Sequence, residues 1–278
     1  MYAKIWRNVS LQLIQNQKLT YAEQRVRLEI AEISYGLLDS EWEHEDLRAA
    51  FTRVYVPLEG EGFIRVGDQL IRLCPNHIYV VPSELSFSCF CPEKLNKIYI
   101  HLTLTRPDGI DVFAGIPSCM ILNNCAQRAR EIERLYDGND IRAVLRLKLM
   151  IYEILEEALQ SISLNNEPIK SYSEYTKKAL FYIDTHLSAT MTINQISSAL
   201  FVSKLVLQKH FKEDLGKPMG KYIDQCLMAR AELELLDRSL TIKDVSEKLG
   251  FCDQFYFSRK FSEYHGFSPK KFRQMHNI

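Results

Sequence analysis

Apolar and polar positions along this chain follow two different periods, and the change falls near residue 124. Before it, side chains alternate. Val26, Leu28 and Ile30 alternate with Arg27 and Glu29, and Ile98, Ile100, Leu102 and Leu104 alternate with Tyr99, His101 and Thr103. A period of two sends successive side chains to opposite faces of a strand. Phe51–Val56, Phe63–Val66, Gln69–Leu73, His77–Val81 and Leu85–Phe90 are further short strands, and Glu59–Gly62 and Gly67-Asp68 supply turn chemistry at hairpin spacing. A series of short strands without intervening helices predicts a small barrel or sandwich over residues 1–122.

From Asn124 the spacing becomes helical. Residues 124–137 and 140–160 predict two helices, and the second is apolar on most sides, with Ile141, Val144, Leu145, Leu147, Met150, Ile151, Ile154, Leu155 and Leu159. So apolar a helix requires burial against the strands, against a partner chain, or both, which makes 123–160 a packing or dimerisation segment. The polar stretch 161–173 (SISLNNEPIKSYS) is the expected linker, and 174–278 reads as helix throughout.

Within that last segment one pattern occurs twice. Ile193, Ile196 and Ser197 are followed by Phe211, Gly216 and Tyr222; Ile242, Val245 and Ser246 are followed by Phe261, Gly266 and Phe272. Each copy closes on Phe-x4-Gly-x5-aromatic, so one packed unit is used twice. In the first copy, Thr192 and Gln195 form a capping-box pair, and Ser203 stands where it can cap a second helix, 204–212. In the second, Thr241 and Asp244 start a helix and Gly250 ends it. Asp253 starts the next helix, and Ser268-Pro269 begins a last one with Pro at its tolerated first position. Two short helices joined this tightly predict a helix-turn-helix, here in tandem. Pro218–Leu236 between them predicts a connecting helix; at about 1.5 Å per residue it spans roughly 28 Å. Successive major grooves on one face of B-DNA lie about 34 Å apart, so this helix has about the length that sets two recognition helices at groove spacing.

Composition narrows the function classes. The chain has 278 residues, 46% of them hydrophobic and 25% charged, with a net charge of zero. Residues 171–278 carry 16 Lys and Arg against 12 Asp and Glu, a weakly basic balance that suits a polyanion partner. No stretch has the length of a membrane-spanning helix and the N-terminal segment has no continuous apolar core, so a cytoplasmic protein with no membrane partner is expected. Seven cysteines in a chain of this size read as free thiols rather than a disulfide scaffold.

The run GFCDQFYFSRKFSEYHGFSPKKFR (Gly250–Arg273) closely resembles the C-terminal signature of the AraC/XylS family of bacterial transcription regulators, and the likeness extends over about Tyr175–Arg273. The stretch GEGFIRVGDQLIRLCPNHIYVVP (Gly60–Pro82) is similar to the cupin-type barrel that many members carry. The resemblance implies an α+β multidomain protein: a cupin-like β-barrel with flanking helices, then an all-α domain of two helix-turn-helix units. It implies promoter DNA and RNA polymerase as partners, activation more often than repression, and a homodimer. By motif position, Lys204, Leu205, Gln208 and Lys209 of the first unit, and Gln254, Phe255, Ser258, Arg259 and Lys260 of the second, are the expected DNA contacts. The chain departs from the family pattern at Ser197 (usually Ala), Phe201 (usually Gly), Leu227 (usually Arg), Ser246 (usually Ala) and Ser262 (usually Lys).

Several groups stay open between two roles. Arg53, Tyr55, Tyr99 and His101 lie on the polar faces of their strands, and either line an effector pocket or form a solvent face. Cys89 and Cys91 share a strand face with Leu85 and Phe87, as small core residues do, although a redox or metal role is the competing reading. His44 sits among Glu41, Glu43, Glu45 and Asp46; a solvated loop is the simpler reading and a metal site the rival one. No paired His-x-His, catalytic dyad or second Cys pair at zinc spacing is present, so no metal, cofactor or catalytic residue is expected. The alternatives are an effector-independent regulator whose barrel only dimerises, a helical module that contacts protein rather than DNA, and a cupin-type enzyme with a helical appendage.

Overall fold

A computed structural model describes residues 26–106, 108–138, 140–162 and 172–276. Among the described residues nine strands come first: β1 (Arg27–Leu38), β2 (Glu43–Leu47), β3 (Thr52–Gly60), β4 (Gly62–Val66), β5 (Gln69–Leu73), β6 (Ile78–Val81), β7 (Phe87–Phe90), β8 (Leu95–Thr105) and β9 (Met120–Leu122). They form a five-stranded sheet in the order β1-β8-β3-β6-β9 and a four-stranded sheet in the order β2-β7-β4-β5. Among the described residues no pairing joins the two sheets into a closed barrel. Of the two architectures that the strand pattern allows, this is a pair of separate sheets.

Alternation decides which side chains enter which core. On β3, Val54 and Val56 face outward, and on β8 Ile98, Ile100, Leu102 and Leu104 do the same, joining a core roofed by two helices. Tyr55 on β3 faces the other way, into the layer between the sheets, with Trp42, Ile64, Leu73, Tyr79, Val81, Phe87, Cys89, Cys91 and Leu95. Cys89 and Cys91 are thus buried core thiols, and burial pushes Cys89 up to about 11. The acidic run at 43–47 is a strand rather than a loop: β2 pairs with β7, opposing His44 to Cys89, so His44 is half-buried.

The helices α1 (Ala126–Tyr136) and α2 (Ile141–Gln160) cover the five-stranded sheet. Asp140 caps α2 by accepting from the backbone N–H of Arg142 and Ala143. One face of α2, with Met150, Ile151, Ile154, Leu155 and Ala158, is buried in the sheet's outer core. Its other face leaves Ile141, Val144, Leu145, Leu149 and Tyr152 exposed. Most of the expected linker, residues 163–171, lies outside the described residues.

Among the described residues seven helices follow: α3 (Glu174–His186), α4 (Ile193–Ala199), α5 (Lys204–Leu215), α6 (Met219–Leu236), α7 (Ile242–Lys248), α8 (Gln254–His265) and α9 (Pro269–Met275). Capping sets their starts. Thr192 with Gln195, and Thr241 with Asp244, both form complete capping boxes. Ser203, Asp253 and Ser268 each accept a first-turn backbone N–H. Gly216 and Gly266 end α5 and α8 at φ 70° and 81°, the left-handed conformation that glycine adopts most readily. The first unit packs on Ile196, Leu207, Phe211, Met219 and Tyr222. The second packs on Val245, Leu249, Phe257, Phe261 and Phe272, and its core also takes in Ala49 and Phe51 from the strand region. Among the described residues no helix is long and apolar enough to cross a membrane.

Candidate functional site

In each unit the second helix anchors itself by two buried side chains and leaves the rest free. On α5 these anchors are Leu207 and Phe211, and on α8 Phe257 and Phe261. Their spacing of four residues turns the positions between them outward. Lys204, Leu205 and Lys209 are exposed and Gln208 half-buried; Phe255, Arg259 and Lys260 are exposed, with Gln254 and Ser258 half-buried. Leu205 and Phe255 are 79% and 77% exposed, so neither is a core residue. Lys209 and Lys260 lie near Glu213 and Glu263 on their own helices, at 4.0 and 3.6 Å, pairs that water weakens. Arg259 lies over the Tyr256 ring at 5.2 Å. Helix α6, 18 residues long, joins the units as the sequence predicts.

The turns of the two units differ at one backbone position. Phe201 and Gly250 both follow the capping leucine of the unit's first helix, and both have positive φ, 53° and 77°. A side chain at Gly250 would run into the Ser188 hydroxyl. Phe201 instead projects into open solvent, 97% exposed.

The strand region holds a cavity of about 170 Å³ between the sheets. Arg53, Tyr55, Tyr99 and His101 all line it, so the structure brings together the four residues whose face was ambiguous in the sequence. Trp42, His44, Cys89, Lys97 and Arg238 line it too, and Met275 and His276 reach it from the chain's other end. Two of these are buried cations. The Arg53 guanidinium is 1% exposed, 4.6 Å from the Phe51 ring centre and 5.1 Å from that of Phe87. Its Nη2 lies 3.3 Å from His276 Nδ1, and its Nη1 is buried with no hydrogen-bond partner among the described residues. Lys97, 3% exposed, sits 3.6 Å from the Tyr55 ring centre and 3.9 Å from that of Trp42. Burial, with Arg53 nearby, pushes its ammonium down to about 7, although the Cys89 and Cys91 thiols act the other way.

Beside them, His101 Nδ1 is 3.1 Å from Glu32 Oε2, and the Tyr99 hydroxyl donates to Glu32 Oε1 at 3.0 Å. Burial pushes His101 down to about 4, so it is neutral at neutral pH. Burial alone would raise the Glu32 carboxyl, but hydrogen bonds from His101, Ser34 and Tyr99 outweigh it and hold the group below its ordinary value. Among the described residues no carboxylate lines the cavity itself.

A larger cleft, about 880 Å³, separates the strand region from the helical one. Its charges are already matched: Arg27 with Asp184 at 3.2 Å, Arg48 with Glu84 at 2.8 Å, and Arg230 with Glu29 at 2.6 Å. Across it, Glu232 of α6 accepts the Ala50 backbone N–H at 2.6 Å, and Tyr222 donates to the Asp108 carbonyl, also at 2.6 Å. This cleft is a seam rather than a vacant site. Among the described residues no group of three or more His, Cys, Asp or Glu is arranged to hold a metal ion.

Sequence reasoning missed Lys97, although the signal was there. Lys97 precedes Tyr99 and His101 at the same two-residue period, one step beyond the expected start of the strand at Ile98. Trp42, Met275 and His276 carry no such signal, because a loop and the chain's last helix bring them to the cavity.

A family model described as "Helix-turn-helix domain" matches residues 196–275. The chain is 30% identical over 234 residues to the Msm operon regulatory protein of Streptococcus mutans, covering 80% of this chain and 83% of that protein. It is 23% identical over 220 residues to the HTH-type transcriptional activator Btr of Bacillus subtilis, covering 73% of this chain but only 40% of Btr. Among solved structures, unsaturated fatty acid-bound ToxT of Vibrio cholerae matches 89% of this chain and 96% of its own with a TM-score of 0.51. At 12% identity that likeness is one of fold, a strand domain followed by a helical one.

Proposed function

The chain belongs to the AraC/XylS family of transcription regulators, and from that premise we propose that it is a sequence-specific activator of promoter DNA that answers to a small molecule. It is a regulator and not an enzyme, as its relatives are. The observation that carries the DNA reading is the matched exposure on α5 and α8. Both helices free the same kinds of side chain, and one 18-residue helix connects their units. Lys204, Lys209 and Lys260 supply phosphate contacts, whose contribution falls with salt. Gln208 and Arg259 have the donors for base edges, and Leu205 and Phe255 the apolar surface for thymine methyls. Gln254 and Ser258 complete the second helix's polar edge.

Footprinting on the promoter of the gene this protein controls tests the reading. Protection over about two helical turns is expected, and none at any promoter sequence would sink it. Gln208→Ala and Arg259→Ala should each cost about 1–3 kcal/mol of specific binding while leaving non-specific binding nearly unchanged. Equal loss on both would reduce these side chains to phosphate contacts.

The small-molecule reading rests on the cavity between the sheets, which Arg53, Tyr55, Tyr99 and His101 line with polar atoms. The two sheets then serve as an open cupin-like sensor domain over 1–122, with 123–160 packed on it, 161–173 as linker and 174–278 as the DNA-binding domain. The apolar stripe on α2 favours a homodimer through this helix. Likeness to the family supports RNA polymerase as a partner and the cytoplasm as the location.

A further inference from the structure

We propose that the cavity between the sheets takes a small organic anion, a carboxylate or a phosphate ester, and that Arg53 and Lys97 are its two positive contacts. This rests on the reading of that cavity as the effector site and deepens it by naming the ligand's chemistry.

Three observations converge. Two cations lie within the same layer at 1% and 3% exposure, and neither has a carboxylate within ion-pair distance among the described residues. Removing an ion from water costs several kcal/mol unless a counter-charge or hydrogen bonds replace the lost hydration. Aromatic rings recover part of that cost: Phe51 and Phe87 flank Arg53, while Tyr55 and Trp42 flank Lys97. They do not fill the donors, and Arg53 Nη1 stays buried and unpaired.

Second, among the described residues the walls contain no acid. Glu232, whose charge is felt at Arg53, makes no ion pair with it and accepts the Ala50 N–H. Glu32 is already engaged by His101, Tyr99 and Ser34. It holds those polar groups in place without neutralising either cation. Third, the space fits. At about 30 Å³ per water molecule, a cavity of about 170 Å³ is the volume of some six waters, enough for a small metabolite. A planar fork and a point charge, presented by neighbouring strands of one sheet, suit a group with two or three oxygens.

The same contact links ligand to DNA. An anion that draws Arg53 inward competes with His276, the residue that ends α9 of the second helix-turn-helix unit. Occupancy therefore shifts the balance between arrangements of that unit against the strand domain, by differential contact alone.

Titration of the full chain decides the matter. In a Trp6→Phe background, emission reports on Trp42, the ring over Lys97. Inorganic phosphate, acetate and succinate are added separately, with glycerol as the neutral control. A saturable change with phosphate or with a carboxylate, and none with glycerol, is expected; which anion acts identifies the head group. Lys97→Met and Arg53→Gln should each weaken the response about tenfold or more. Lys97→Met keeps the volume and removes a buried amine whose charged form has no counter-ion among the described residues, so it should also melt higher than wild type, which guards against misreading an unfolded variant. An equal response to glycerol, an unchanged affinity in Lys97→Met, or no saturable response to any anion up to about 50 mM would overturn the proposal. Footprinting on the same preparations separates the two failures. Protection without anion binding defeats this inference alone, and no protection defeats the regulator reading beneath it.

Discussion

Arg53 and His276 stand 223 positions apart in the chain and 3.3 Å apart in space. Arg53 has only donors, so the imidazole accepts through Nδ1. Burial, then the charges of Arg53, His101 and His44, push His276 well below its ordinary value and keep it able to accept. The side chain also packs on Phe51 and Phe272, which adds it to Met275 and Phe272 as a contact between α9 and the strand region.

Replacing this contact should loosen α9 without unfolding the protein. For His276→Ala, amide exchange over residues 269–276 is expected to rise by about five- to tenfold, the equivalent of one modest hydrogen bond. Hydrogen–deuterium exchange read by mass spectrometry measures it. Unchanged exchange there would show that Phe272 alone holds the helix.

Glu232 makes the seam between the regions sensitive to pH. Burial pushes its carboxyl up to about 8, the Ala50 N–H opposing; Glu84 adds to the rise, and Arg53 and Arg48 oppose it. His265 lies 3.5 Å away but is pushed by burial down to about 4, so at neutral pH the two are mostly neutral rather than an ion pair. Between the ordinary value of 4.5 and about 8, the folded protein binds the proton that the unfolded chain releases. Stability from this group is therefore full below that window and is lost as pH rises through it. Glu232→Gln removes the effect, so the stability of the variant relative to wild type should climb by up to about 1.4 kcal/mol per pH unit across the window. Denaturant melts at several pH values check it, and taking the difference cancels the opposing slopes of His101 and Lys97. A flat difference would place the Glu232 proton elsewhere.

The two turns should answer oppositely to glycine. Phe201 holds a left-handed backbone that costs a bulky residue about 1–2 kcal/mol. Phe201→Gly should therefore stabilise the fold by about 0.5–1 kcal/mol net of glycine's own entropy. Gly250→Ala should destabilise it by about 1–2 kcal/mol, because both φ and the Ser188 hydroxyl oppose a side chain there. Thermal denaturation of both variants is the measurement. Should Phe201→Gly also weaken promoter binding, the exposed ring is a DNA contact that outweighs its strain.

On α2, Leu145 and Leu149 are 57% and 52% exposed, on the same outward face as Ile141, Val144 and Tyr152. If this face pairs with a second copy, Leu145→Glu with Leu149→Glu should turn a dimer into a monomer with little change in the monomer's own melting. Sedimentation equilibrium reads the mass directly. A wild-type protein that is already monomeric at micromolar concentration would remove the basis for the dimer.

Local chemistry made the helical half legible. Caps such as Thr192, Ser203, Thr241 and Asp253 are short-range signals, and the doubled phenylalanine spacing fixed both cores. The strand half was legible only where its period ran unbroken. In β1 the register shifts between Ile30 and Glu32, so alternation seen at 26–30 falls out of step over the rest of a strand that reaches Leu38. β2 (EHEDL) buries only Leu47, and a polar edge strand looks like a loop in one dimension. Three-residue β9 offers too little pattern to read. At Leu227, where the family usually has Arg, the reason lies in tertiary contact: it joins the second unit's core, beside Ala49 and Phe51. Ser246 is buried with its hydroxyl unpartnered among the described residues, and nothing in the structure explains its preference over alanine.

Ala49 and Phe51 lie in the same apolar cluster as Phe257, Phe261 and Phe272, so the change from strands to helices along the chain is not where cohesion ends. A helical fragment cut from the strands would carry away a phenylalanine-rich core without Ala49 and Phe51, and a chimera joined there would set foreign residues in their place. Modules of this protein are interchangeable only if the few residues leading into β3 travel with the half that reads DNA.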